Sequence, residues 1–205
     1  EESVAACRRA GFPVLVDAAN MLPPWDNIRK VAAAGAELIA ISGGKHMRGP
    51  QCSGILAGRK DLIAAALLNS SPNSDSQGRP MKVGREEIVG LWLAAEKYAR
   101  LDFTALDRQY REQCEYILGA LKKTPGLRMG YMPFEKVRKI PRVFIQWDEQ
   151  GMRLSTDDCV RQLLDGDPRI AVLKHEEQGI FLTMFMADPG DEKVVARRLK
   201  EIFGR

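Results

Sequence analysis

Short runs of consecutive apolar residues alternate along the first third of the chain with stretches in which apolar side chains recur every three or four positions. Runs of this kind predict strands and the longer spacing predicts amphipathic helices. Residues 1–10 read as the end of a helix, broken by Gly11-Phe12-Pro13. Val14-Leu15-Val16 is continuously apolar, which predicts a strand buried on both faces, as in parallel sheets. It ends in Asp17-Ala18-Ala19-Asn20. Residues 26–34 predict a helix closed by Gly35, and residues 37–42 a second strand. A glycine-rich turn over residues 43–50 leads to a third strand, 53–58, and a helix, 59–68. Strands and helices alternating in units of this size indicate an α/β layer fold.

Residues 69–84 form a polar loop rich in Asn, Ser, Gly and Pro. Long loops of this kind are often functional or mobile. A helix over 85–101 carries Ile88, Leu91, Trp92, Ala95 and Tyr98 at helical spacing, which predicts one apolar face. A second helix is expected over about 104–123. The pattern changes near residues 125–133. From Pro141 it reads strand (142–147), helix (156–165), strand (169–174), strand (180–186) and helix (191–203), the order of a small α+β domain with an antiparallel sheet. Thr156-Asp157-Asp158 offers capping chemistry for the first of these helices. The expected division is therefore 1–84, the C-terminal part of a larger α/β domain with a mostly parallel sheet; 85–124, connecting helices; and 125–205, a small α+β domain.

Composition narrows the class. The chain has 205 residues, 45% hydrophobic and 28% charged, close to the globular average. Its longest apolar runs fall far short of the ~20 residues of a membrane-spanning helix. A net charge of +4 is too small to imply nucleic acid by itself. Cys7, Cys52, Cys114 and Cys159 are widely spaced, without the C-x2-C pattern of zinc or redox sites, and only His46 and His175 could join them. No metal site is expected, and the cysteines read as thiols of a reducing compartment, the cytoplasm. The chain opens Glu1-Glu2-Ser3, without the features of a signal peptide and without Met, so a start further upstream is expected.

The chemistry concentrates in residues 14–54. An acid, Asp17, ends one predicted strand, and Ser42-Gly43-Gly44-Lys45 ends the next. Open α/β sheets bind ligands at the carboxyl ends of their strands, so both side chains could enter one pocket. A lysine there can condense with an aldehyde to form a Schiff base. Pyridoxal phosphate binds in this way, with its ring nitrogen commonly paired with an Asp, and a hydroxyl near the lysine turn, here Ser42, can take its phosphate.

Val14-Leu15-Val16-Asp17-Ala18-Ala19-Asn20, followed by Ser42-Gly43-Gly44-Lys45-x-x-x-Gly49-Pro50-Gln51, resembles the fold-type I pyridoxal-phosphate enzymes, an aminotransferase class V-like group. More narrowly it resembles the branch containing selenocysteine synthase and D-glucosaminate-6-phosphate ammonia-lyase. The segment from Gly78-Arg79-Pro80-Met81-Lys82 through Ile88 and the Asp-Pro-Gly-Asp-Glu start of the last helix resemble that branch too. The resemblance implies that Lys45 binds the cofactor and moves the Cα proton, that Asp17 partners the pyridine nitrogen, that Ser42 lies on the phosphate side, and that Asn20 donates to the phenolic oxygen. Arg79 and Lys82 become weaker candidates for binding phosphate or substrate. It further implies a lyase that removes a Cα proton from an amino acid or amino sugar acid and releases ammonia and a keto acid, working as a homodimer or higher oligomer. Gly44 before Lys45, and His46-Met47-Arg48 after it, depart from the selenium-transferase pattern and favour the ammonia-lyase side. Members of the family carry a long segment before the Val-Asp-Ala strand, so the chain is expected to be the C-terminal part of a longer protein.

Plainer readings stand beside these. Lys45 could be a solvated loop lysine, Asp17 a helix cap, Ser42 and Asn20 turn formers, and Arg79 and Lys82 parts of a solvated face. His46 could serve beside the site rather than in it. The basic series Arg128, Lys136, Arg138, Lys139 and Arg142 reads as solvated surface, with few aromatics expected beside it. Gly-Gly-Lys lacks the full spacing of a nucleotide phosphate loop. A selenium transferase, which would engage tRNA, and a cofactor-free scaffold remain the alternatives.

Overall fold

The run beginning at Val14 forms a strand, β1 (Leu15–Asp17), parallel to β2 (Leu38–Ser42), with Leu15 opposite Leu38 and Asp17 opposite Ala40. The computed structural model describes residues 2–134, 138 and 140–204. Its chain divides into two compact units, Glu1–Leu101 and Asp102–Arg205. Lys136 and Lys139, of the basic series, lie outside the described residues.

In the first unit α1 (Glu2–Arg9) precedes β1, and the crossover to β2 is α2 (Asp26–Ala33), which buries Ile28 and packs on β2. β3 (Gly54–Gly58) returns antiparallel on the other edge of β2, with Ser42 opposite Gly54. The sheet order is β1-β2-β3, with one parallel and one antiparallel pairing. The direction of β3 follows from its connection. A parallel return needs a crossover of about a dozen or more residues, usually a helix, and the tight turn after β2 contains none.

Ile39 and Ile41 of β2 are buried, while Leu38, Ala40 and Ser42 alternate with them on the other side. The register places Leu15 and Asp17 on that second side. Leu15 is 59% exposed. The expectation that this strand is buried on both faces is therefore corrected: it is covered on one. An unbroken apolar triplet reports high hydrophobicity, not which face has a neighbour, and among the described residues the face of Leu15 and Asp17 stays open.

α3 (Lys60–Leu68) and the loop 69–84 lead to α4 (Arg85–Ala99). Its predicted single apolar face divides. Leu91 and Tyr98 are buried, whereas Ile88 and Trp92 are 56% and 67% exposed. Periodicity located the helix but could not show how wide a strip its own unit covers.

In the second unit Asp102 caps α5 (Phe103–Leu121), its carboxylate accepting from the Thr104 and Ala105 amides at 2.9 and 3.0 Å. There follow β4 (Leu127–Tyr131), β5 (Val143–Trp147), the short α6 (Glu149–Met152), α7 (Thr156–Leu164), β6 (Leu173–Lys174), β7 (Ile180–Leu182) and α8 (Asp191–Phe203). The sheet is antiparallel throughout, in the order β4-β5-β7-β6. β4 and α6 were absent from the sequence expectation. β4 alternates Leu127, Met129 and Tyr131 with Arg128 and Gly130, a short period-2 pattern that the sequence reading passed over, and it pairs with β5 along its whole length. The cap of α7 is Ser155, whose Oγ accepts from the Asp158 amide at 3.0 Å, one residue before the expected capping group. Ile117 and Leu121 of α5, Ile145 of β5, Ile180 of β7 and Leu199 of α8 close a common core. Among the described residues no helix is long and apolar enough to cross a membrane.

Candidate active site

Asp17 and Ser42 end two adjacent parallel strands. Asp17 faces Ala40 across the ladder, and Ser42 lies two residues further along β2, so by strand alternation both side chains leave from the open face of the sheet. Asp17 is exposed and Ser42 half-buried. The Asp17 carboxylate accepts from the Ala19 amide at 2.9 Å, which shapes the turn after β1. It does not cap α2, which begins nine positions later at Asp26, and the helix-cap alternative is set aside. Asn20 is exposed in the same turn.

Beyond Ser42 the backbone folds into a closed turn. The Gly49 amide donates to the Gly43 carbonyl and the Arg48 amide to the Lys45 carbonyl, both at 2.9 Å. Gln51 Nε2 donates to the Gly44 carbonyl at 3.1 Å, and the Gly43 amide to the Ser53 carbonyl at 3.0 Å. Neither of the leading glycines has room for a side chain. A Cβ on Gly43 would lie 2.6 Å from Leu91 Cδ1, and one on Gly44 would lie 2.6 Å from Gln51 Cα. Arg48 adopts φ +56°, reversing the chain. The outcome is a lysine held at the solvent side of a rigid loop, with Lys45 exposed and His46 and Met47 buried immediately after it.

The structure thus brings Asp17, Ser42 and the Lys45 turn to one end of the β1–β2 pair. Arg79 and Lys82 are not joined to them by any described contact. Arg79 donates to Ser71 Oγ at 3.4 Å within its own loop, and Lys82 is exposed. Sequence reasoning set His46 beside the site and Tyr98 on an apolar helix face, but missed that these two and Trp25 pack together beneath the turn. The Trp25 and Tyr98 rings meet edge to face with centroids 5.5 Å apart, and Tyr98 approaches His46 from α4. No local signal announces this pairing, since His46 and Met47 lie between the exposed Lys45 and Arg48.

Residues 1–147 match the model of the aminotransferase class-V family. The chain belongs to that family. Its members are fold-type I pyridoxal-phosphate enzymes. Among curated relatives, a 5'-C-glycyluridine monooxygenase-decarboxylase of a Streptomyces species is 32% identical over 98% of this chain and 49% of its own length. A D-glucosaminate-6-phosphate ammonia lyase of Salmonella typhimurium is 30% identical over 98% of this chain and 52% of its own. A solved structure of D-glucosaminate-6-phosphate ammonia-lyase superposes with a TM-score of 0.74 at 29% identity, covering 98% of this chain and 52% of that one. The chain spans about half the length of these relatives. The donor set at this end of the sheet fits the cofactor of the family. Pyridoxal phosphate takes a lysine amine and commonly a carboxylate partner, and an exposed lysine, an exposed carboxylate and a half-buried hydroxyl, those of Lys45, Asp17 and Ser42, lie at or just beyond the ends of β1 and β2.

Proposed function

We propose that the intact protein is a pyridoxal-phosphate-dependent lyase that acts on an amino acid or amino sugar acid by Cα deprotonation and α,β-elimination, releasing ammonia and a keto acid. One observation carries the proposal: an exposed lysine on a rigid glycine turn stands directly beyond the open-face carboxylate and hydroxyl of two parallel strand ends. Lys45 would hold the cofactor through its amine, Asp17 would stand at the ring nitrogen, Ser42 at the phosphate and Asn20 at the phenolic oxygen. The cofactor, when bound, supplies an electron sink for the pair left at Cα. Lys45 Nζ would also be the base that takes up the substrate's Cα proton. The Asp17 carboxylate favours a protonated partner opposite it by simple charge attraction. Arg79 and Lys82 remain proposed anion-binding groups of the neighbouring loop. We assign residues 1–84 to the cofactor-binding domain, 85–124 to connecting helices and 125–205 to the small domain, and infer a cytoplasmic homodimer or higher oligomer.

The test is covalent trapping. Pyridoxal phosphate is added to the chain, the visible band is recorded, borohydride is applied and the labelled peptide is mapped. Label on Lys45 alone, lost in Lys45→Ala, is the expected result. Label scattered over surface lysines, or retained in Lys45→Ala, overturns the assignment. In the intact protein, Lys45→Ala is expected to abolish turnover and Asp17→Ala to leave very little. A second reading, oxidative decarboxylation, is favoured by the Streptomyces relative. Ammonia release without oxygen supports the lyase, and a strict oxygen requirement with loss of carbon dioxide supports the alternative.

A further inference from the structure

His46 Nδ1 and the Tyr98 hydroxyl share a hydrogen bond at 2.7 Å, the residues being 6% and 2% exposed. Their rings meet edge to face with centroids 5.2 Å apart. We propose that His46 is a positioning residue, its hydrogen bond to Tyr98 pinning the glycine turn to α4 and so setting where the Lys45 amine stands; this rests on the assignment of Lys45 as the cofactor lysine.

The geometry of the turn supplies the argument. α4 meets the turn at two heights. Leu91 lies against Gly43 and Gly49 at its base, and Tyr98, two helical turns further on, reaches His46 at its tip. The backbone bonds from Gly49 to Gly43 and from Arg48 to Lys45 close the loop on itself but do not tie its tip to the rest of the unit. Met47, 4% exposed, already supplies an apolar anchor. If filling space were the only requirement at position 46, another apolar side chain would serve, because burying two polar groups is costly unless they satisfy one another. A satisfied polar pair adds what dispersion contacts lack, a preferred distance and direction. Lys45 is the residue directly before His46, so freedom at the tip is transmitted to its amine through one peptide unit. Reactions that depend on a placed amine are sensitive to this, and a displacement of about 1 Å can cost ~100-fold in rate.

The experiment compares the chain with Tyr98→Phe, His46→Leu and His46→Asn, using pyridoxal phosphate as the aldehyde probe. The first variant removes one hydroxyl, the second keeps bulk without polarity, and the third keeps a hydrogen-bonding atom near the place of Nδ1. Two quantities are read: borohydride-trapped label at Lys45 relative to the other lysines, and hydrogen exchange at the Arg48 and Gly49 amides. A purely structural role would change label at all lysines together or at none. Tyr98→Phe and His46→Leu are expected to lower the Lys45 ratio by about tenfold, the size of one lost buried hydrogen bond, and to speed exchange at both amides, with cooperative urea unfolding retained. His46→Asn is expected to stay within about threefold of the parent, since it keeps that bond. Unchanged ratios and exchange in the first two variants, while the parent labels Lys45, overturn the positioning role alone. So does a His46→Asn ratio as low as that of His46→Leu. A parent chain that does not label Lys45 overturns the Lys45 assignment and the positioning role with it.

Discussion

At the residue scale, the same chemical type behaves in opposite ways according to burial. Cys7 and Cys52 are exposed, whereas Cys114 and Cys159 lie in the core of the second unit. Burial pushes the Cys159 thiol up from 9.0 to about 12, and burial also raises Cys114. A thiol that stays protonated in the folded state is a poor nucleophile. Native protein is therefore expected to expose only Cys7 and Cys52 to a thiol reagent, with Cys114 and Cys159 reacting after denaturation. The raised value also has a sign for stability. Between 9.0 and about 12 the folded chain keeps the Cys159 proton that the unfolded chain releases, so rising pH favours unfolding. This contribution is fully present below about pH 9 and lost through about pH 12. Urea midpoints should fall from about pH 8 to about pH 10.5, and fall less in Cys159→Ala; an equal fall would assign the alkaline loss to other groups. Of the candidate site, the placement of Asp17, Ser42 and Lys45 at or just beyond strand ends was legible, because strand ends follow from local spacing. The His46–Tyr98 pair was not, because its partners are 52 positions apart and nothing local announces that a histidine points inward.

At the element scale, α4 shows what periodicity can and cannot report. Its extent was readable from the sequence to within two residues. Its apolar strip was read as a single buried face, yet Leu91 and Tyr98 are buried while Ile88 and Trp92 stand mostly in solvent. The indole of Trp92 donates instead to Glu96 at 3.0 Å, one turn along the helix. Leu91→Ala should cost ~2–5 kcal/mol through the cavity it leaves against Gly43 and Gly49. Trp92→Ser should change stability by less than about 0.5 kcal/mol, as surface substitutions usually do. Chemical denaturation of the two variants checks this, and equal costs would show that Trp92 is packed in solution.

At the scale of the whole molecule, the two units are built on different plans. The second has an antiparallel sheet and a closed core drawn from residues 114–203 alone. A chain beginning at Asp102 is expected to unfold cooperatively in urea, and a gradual, non-cooperative loss of structure would show that its core depends on the first unit. The first unit has a three-stranded sheet with one open face, and that face bears the candidate site.

The α/β class, most of the helices, the strand-end acid and the glycine-turn lysine were all determined by the sequence alone. Each depends on spacing within a short window, and the physics that reads spacing is local: helical period, strand alternation and the space a glycine leaves. Tertiary structure alone decided the open face of β1, the division of the apolar strip of α4 and the burial of His46 against Tyr98. Each of these depends on which distant segment lies alongside, and no local pattern encodes a neighbour.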